Sequence, residues 1–381
     1  MNTNATCVEN ITSFQPLDRS DYLILQVETV RLIRNICYLG ITPFLVIVGL
    51  ILNSLCFMLF CRIGNRSSTV IMLFAITVTD VFTLVNGGIN SVFYASQTYE
   101  VPLTKNQQRL TAPIYSTYLN SLPGRIGNFI IFLISLERLF CVLEPLKIRM
   151  YSTKRNSYIA VCVAFILPAS SGIPNLFLYT TEKVYSNITS QFTTVLRATS
   201  YGKDKDLTNA VYITQEILWR YIPVIGVTVA SSITAMLVLL NAKRRLVMAK
   251  ASIQSRPESQ TMNIESQVTR MLLVVTTVFV LCQLPGTILR MIINIHPDMN
   301  PMRYLNNVYE VAFPITYVML LINSVVNFII YYNTSTTYRT KIRQMFNWSS
   351  SEKMKSTPCT YPMSNSHTNS SFIPDHKEGD F

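Results

Sequence analysis

Residues 36 to 61 contain no charged side chain, and nothing else in the chain constrains its fold as strongly. A helix of that length, at about 1.5 Å per residue, is longer than the roughly 30 Å hydrocarbon core of a bilayer, so the stretch reads as a membrane span. Six more apolar stretches follow, at about 69–95, 112–141, 157–180, 213–241, 267–293 and 306–332. Backbone polar groups must be satisfied internally in hydrocarbon, and stretches this long satisfy them as helices. The expected fold class is therefore an all-α membrane protein, a seven-transmembrane helix bundle. The composition agrees: 49% of residues are hydrophobic and 14% are charged, where soluble domains carry about 25% charged residues.

The spans are not uniformly apolar. Asp80 falls near the middle of the second, where an isolated carboxylate is expensive and so reads as functional. Asn120, Pro123, Gly124, Arg125 and Asn128 interrupt the third, which cannot face lipid on those sides and is expected at the centre of the bundle. Pro168 and Pro174 kink or end the fourth, Pro223 lies in the fifth and Pro285 in the sixth. In the first, Gly49 and Asn53 share a face and read as a packing groove with a polar contact.

Four regions are expected. Residues 1–35 are polar, carry no charged-then-apolar leader and form an extracellular N-terminal segment. Residues 36–332 are the seven-transmembrane domain. Residues 333–348 place Tyr338, Ile342, Met345 and Phe346 at helical spacing among Arg339, Lys341 and Arg343, the pattern of a short amphipathic eighth helix on the membrane surface. Residues 349–381 are rich in Ser, Thr and Asn and are expected to be a disordered cytoplasmic tail.

The net charge of +12 is explained by topology. Of the 32 Lys and Arg, 19 fall at or after the ends of spans one, three, five and seven, and 10 in the N-terminus and the other connections. The positive-inside rule then places the N-terminus outside and the C-terminus in the cytoplasm, with membrane lipids as the anionic partner and no need for nucleic acid. Sequons at Asn4, Asn10 and Asn187 lie on the expected outer side and read as glycosylation sites. Asn65 and Asn333 match the same pattern on the expected inner side. No catalytic triad, metal-ligand cluster or phosphate loop stands out, so the reading is not an enzyme, with no catalytic residue and no metal centre. The eight cysteines have no Cys-x-x-Cys spacing and form no disulfide framework.

The run Ile134 to Leu146 puts Glu137 and Arg138 at the end of the third span and Pro145-Leu146 beyond it. Alone, the charged pair is an interface anchor. Taken with Asn53, Asp80, Pro223, Phe279, Cys282-x-x-Pro285, Asn323, Asn327 and Tyr331, in this order, it resembles the rhodopsin-like (class A) G-protein-coupled receptors. The resemblance runs from Gly49 to about Phe346. The Glu-Arg-Leu variant and the short third cytosolic loop are similar to invertebrate peptide receptors of the FMRFamide type and to molluscan chemosensory receptors.

The resemblance implies an extracellular ligand, a heterotrimeric G protein, and receptor kinase and arrestin acting on Ser349 to Ser371. It gives Glu137 and Arg138 a resting clasp with Glu265, gives Leu146 and the basic Lys243–Arg245 stretch a G-protein contact, and has Tyr331 move inward on activation. It likens Asp80, Asn323, Ser324 and Asn327 to the family's sodium and proton site, although Gly127 stands where a hydroxyl ligand is usual. The chain departs from the family at Leu139, Gln283 and Phe328, and it lacks the usual extracellular disulfide, since Thr111 to Ile114 hold no cysteine. Cys7 and Cys37 either pair in its place or remain free thiols.

For the ligand pocket the resemblance selects Asn120, Arg125, Glu216, Arg220, Gln283 and Arg290. Arg125 lies 13 residues from Arg138, about 20 Å toward the outside at helical rise. Three arginines in the third, fifth and sixth spans favour an anionic group. Internal neutralisation competes, by Glu216 on Arg220 and by Glu310 on Arg290. Asn120 stands where amine receptors keep an acid, which disfavours a monoamine. The expected function is a receptor for a short peptide or an anionic chemosensory molecule. The alternatives are a seven-span carrier or channel, or a receptor-like scaffold that has lost signalling.

Overall fold

The computed structural model describes residues 26–64, 67–99, 118–186, 191–251, 259–296 and 305–346. Among these, seven helices are long and apolar enough to cross a membrane: Val27–Ile63, Ser68–Thr98, Leu122–Leu143, Lys154–Phe177, Lys205–Arg244, Gln267–Ile295 and Asn306–Thr334. The chain is a multi-pass membrane protein with the expected number of spans.

Neighbouring spans pack in a closed ring of one, two, three, five, six and seven, and the fourth lies outside against the second and third. The third touches the second, fourth, fifth and sixth, the central place that its polar residues require. Close approach of the first two spans depends on Gly49. A Cβ there would lie 2.7 Å from the methyl groups of Leu84 and 2.9 Å from Val325. One turn on, the buried Asn53 donates from Nδ2 to the Gly49 carbonyl at 2.9 Å and to the Ser324 carbonyl at 2.8 Å, tying the first span to the seventh.

Three features differ from the sequence expectation. First, the first helix begins at Val27 instead of residue 36. The added segment is amphipathic, buries Val30, and is held to the seventh span by Arg34 Nη1 on Glu310 Oε2 at 2.7 Å. Second, the fifth helix begins at Lys205 instead of 213, because Asp204 caps it by accepting from the Leu207 amide. Third, residues that the all-α reading treated as a plain connection form an antiparallel ribbon, β1 (Tyr179–Ser186) and β2 (Gln191–Ala198), paired from Tyr179 with Ala198 to Ser186 with Gln191. Both strands are rich in Thr, Val and Tyr or Phe, residues that suit a pleated surface.

Two π-helical turns, Ile36–Ile41 and Ile217–Tyr221, lie just before Pro43 and Pro223. A proline ring crowds the carbonyl four residues back, and widening the turn relieves the contact. The second of these turns carries Trp219 and Arg220 into the bundle.

At the other end, helix Thr336–Phe346 folds back so that Tyr338 and Ile342 are buried. Its Tyr338 ring meets Phe60 at 5.9 Å and Tyr331 at 5.8 Å, closing an aromatic cluster beneath the seventh span. Burial raises the Tyr338 phenol above its ordinary pKa. Cys7, Asn4, Asn10, Asn187 and the tail from Ser349 onward lie outside the described residues, as do residues 112–117 of the expected third span. Cys37 is a buried thiol of the first helix.

Candidate functional site

The Glu137–Arg138 end of the third span is a small hydrogen-bonded latch. Glu137 Oε1 lies 3.2 Å from Arg138 Nη2, with the two side chains 10% and 14% exposed. The same carboxylate oxygen accepts from the Ser152 hydroxyl, which follows the short helix Pro145–Tyr151. Arg138 Nη2 also donates to Thr69 Oγ1 of the second span at 3.0 Å. Ser157 and Ser68 tie the fourth span to the second beside it, Oγ to Oγ at 2.6 Å. Arg138 is thus held by its neighbouring acid and by Thr69, while Glu265 lies on the sixth helix with its side chain outside the described set. The side chains of Pro145 and Leu146 are likewise outside it. Sequence reading missed Ser152 and Thr69, whose hydroxyls are too common to signal a role.

Midway along the bundle, Asn327 Nδ2 donates to Asp80 Oδ2 at 2.8 Å. Asp80, Asn323, Ser324, Gln283, Asn128 and Gly127 line a narrow cavity of about 20 Å³. That is room for a water or a small ion. Three of the four expected site residues, Asp80, Asn323 and Ser324, line the cavity, Asn327 joins them through its bond to Asp80, and Gln283 lies here and not in the arginine site. Tyr331 packs edge-on to Phe60 at 5.9 Å and is fully buried.

The third cluster joins the third, fifth and sixth spans. Arg125 is 4% exposed and Glu216 3%. Arg125 Nη1 donates to Gln215 Oε1 at 2.8 Å, and its Nη2 lies 3.8 Å from Glu216 Oε1. Arg220 Nε donates to Glu216 Oε2 at 2.6 Å. Gln215 is fixed in turn, donating to the Ser171 carbonyl at 2.7 Å and accepting from Asn175 Nδ2 at 3.1 Å. Arg290 Nη1 donates to the Tyr212 hydroxyl at 3.0 Å, and its guanidinium sits 5.4 Å from the Phe313 ring centroid.

Expectation and structure agree in part here. Glu216 answers Arg220, as the four-residue spacing implied. Glu310 does not answer Arg290, because it is paired with Arg34, whose helix starts earlier than the charge pattern suggested. Arg125, which has no acid near it in sequence, finds Glu216 across 91 positions of chain. Asn120 belongs to a different set: its Oδ1 accepts from Asn90 Nδ2 at 3.0 Å, and Asn90 also donates to the Tyr317 hydroxyl at 2.8 Å. Gln215, Tyr212 and Asn90 were not legible as site residues, being neutral side chains in polar or apolar runs.

This arrangement has relatives. The family of 7 transmembrane receptors (rhodopsin family) matches residues 52–331. The chain is 22% identical over 326 residues to a probable G-protein coupled receptor of Caenorhabditis elegans, covering 82% of this chain and 70% of the relative. It is 24% identical over 297 residues to lysophosphatidic acid receptor 4 of Homo sapiens, covering 77% of this chain and 73% of that protein. A seven-helix bundle with Asp80 on Asn327 at mid-depth, a Glu-Arg latch at one end and a family match across most of its length is a receptor: the chain belongs to the rhodopsin family of 7 transmembrane receptors.

Proposed function

We propose that the chain is a plasma-membrane receptor, N-terminus extracellular and C-terminus cytoplasmic, that binds a ligand bearing an anionic group and activates a heterotrimeric G protein. The observation that carries this reading is the cluster of Arg125, Arg220 and Arg290 near Glu216, the one carboxylate that the described residues place among them, with Arg125 and Glu216 buried. Cations gathered in a desolvated site select an anion, with guanidiniums supplying directed donors as well as charge. A short peptide ending in a carboxylate or a small organic anion has that chemistry. The human relative is named for an acid, lysophosphatidic acid, which agrees with it.

Activation would act on the latch at the far end of the third span. An outward swing of the sixth span frees Arg138 from Glu137, Thr69 and, in this proposal, Glu265, exposing it with Leu146 and Lys243 to the G protein. Tyr331 would leave its aromatic cluster and turn inward. A sodium ion, if bound, would be held by Asp80, Asn323 and Ser324, which supply the oxygens that hard cations take, and Gly127 contributes none. Receptor kinase and arrestin would act on the serines and threonines of the tail.

The test is a screen of peptides and organic anions on cells expressing the receptor with a broadly coupling G protein. Anionic hits are expected, with potency lost in an Arg125→Ala variant that reaches the surface. Undiminished potency in that variant would refute the pocket. Leu146→Asp should abolish agonist-stimulated nucleotide exchange, and intact exchange in well-expressed protein would refute the docking role.

A further inference from the structure

The arginine cluster is short of negative charge. Arg220 binds Glu216 at 2.6 Å and Arg125 stands 3.8 Å from it, while Arg290 is in no ion pair among the described residues and donates to the Tyr212 hydroxyl, one helical turn from Glu216. Among the described residues the cluster's other contacts are neutral: the Gln215 amide, the Tyr212 hydroxyl and the face of Phe313. Among the described residues three cations stand against one carboxylate, which leaves two positive charges uncompensated. Glu310, the further acid that the sequence offered, is taken by Arg34.

The hydrogen bonds show the same shortage. Each guanidinium carries five N–H donors in a fixed fork. Glu216 spends Oε2 on Arg220 at 2.6 Å, and its Oε1 stands 3.8 Å from Arg125 Nη2, outside hydrogen-bond reach. Arg125 Nε is buried with no partner among the described residues. The side chain that holds it is 5% exposed, so bulk water does not complete its coordination.

Resting on the anion-receptor reading, we infer that the group recognised between these spans is a phosphate monoester in its dianionic form. Its two charges match the residual charge of the cluster. Its three terminal oxygens, on one centre, take the donors that Glu216 leaves, Arg125 Nε among them. A carboxylate, a sulfate ester or a phosphate diester brings one charge and leaves one guanidinium uncompensated. A dicarboxylate brings two charges but splits them between two centres.

Purified full-length receptor in detergent is heated with phenyl phosphate, methyl phenyl phosphate or benzoate, and the unfolding midpoint is followed against concentration. Phenyl phosphate should stabilise saturably, with an apparent Kd at least about tenfold below those of the two monoanions, the factor that about 1.4 kcal/mol of extra pairing gives. Its second ionisation falls near pH 6, so its Kd should weaken about tenfold between about pH 7.5 and about pH 5, while benzoate changes little. Arg125→Lys keeps the charge and removes Nε and the fork, and should weaken phenyl phosphate more than benzoate while its own melting transition reports an intact fold. Equal, saturable stabilisation by all three anions overturns the dianion and leaves the anion-receptor reading standing. No stabilisation by any of them at millimolar concentration overturns both.

Discussion

Replacing Glu216 by glutamine removes the one negative charge that the described residues place among three guanidiniums and keeps the side chain's shape, so it isolates the electrostatics of the cluster. In the structure Glu216 lies 2.6 Å from Arg220 Nε and 3.8 Å from Arg125 Nη2. A unit pair near 4 Å is worth about 4 kcal/mol at an effective dielectric of about 20, and removing one partner of a buried pair costs about 3–5 kcal/mol because the other charge is stranded. The loss falls mainly on Arg125, whose side chain is 5% exposed, and less on Arg220 at 21%. With about 2–4 °C per kcal/mol for a domain of this order of size, Glu216→Gln should lower the unfolding midpoint of the purified receptor by about 10 °C. Arg34→Ala is the control. It breaks an equally short pair whose side chains are 30% and 32% exposed, and exposed pairs contribute about 0–1 kcal/mol, so its shift should be no more than a few degrees. A Glu216→Gln midpoint within about 2 °C of wild type would refute the coupling of the cluster.

Ser152→Ala removes the hydroxyl that helps hold Glu137; a bond of this kind is worth about 0.5–1.5 kcal/mol, so basal nucleotide exchange should rise by a factor of about 2–10, and no rise at matched expression would contradict the latch. Asn53→Ala loses its bond to the seventh span at the Ser324 carbonyl and its bond to the Gly49 carbonyl of its own helix, which should cost about 1–3 kcal/mol, read as a lower unfolding midpoint. At Gly226 an added Cβ would lie 2.3 Å from Phe132 Cε2. Gly226→Ala should therefore destabilise by about 1–3 kcal/mol, and Phe132→Leu in the same chain should restore part of the loss if the clash is the cause.

The span count was legible because hydrocarbon thickness and backbone satisfaction leave few choices for long uncharged runs. The central third span was legible from Asn120, Arg125 and Asn128, which have no place against lipid. The helix extensions at Val27 and Lys205 were not, since the segments are polar enough to pass for loops. What makes them helical is a tertiary ion pair in one case and a cap at Asp204 in the other. The ribbon of β1 and β2 was masked by charged residues on its strands, although its Thr, Val and Tyr content carried the signal. Arg125 with Glu216 lay beyond any local rule, because the pair forms between different spans. Spacing fixed the pairing of Glu216 with Arg220 and misplaced Glu310, whose partner depends on where the first helix begins.

The most direct test of a receptor that reads anions through Arg125 is agonist-dependent nucleotide exchange, measured with wild-type chain and the Arg125→Ala variant at equal surface density across a panel of peptides and organic anions. The account predicts a saturable response to at least one anionic member of the panel that is lost or shifted by about tenfold or more in the variant, the effect of about 1.4 kcal/mol at one guanidinium contact. Responses confined to neutral or cationic members, with equal potency in the variant, would contradict it.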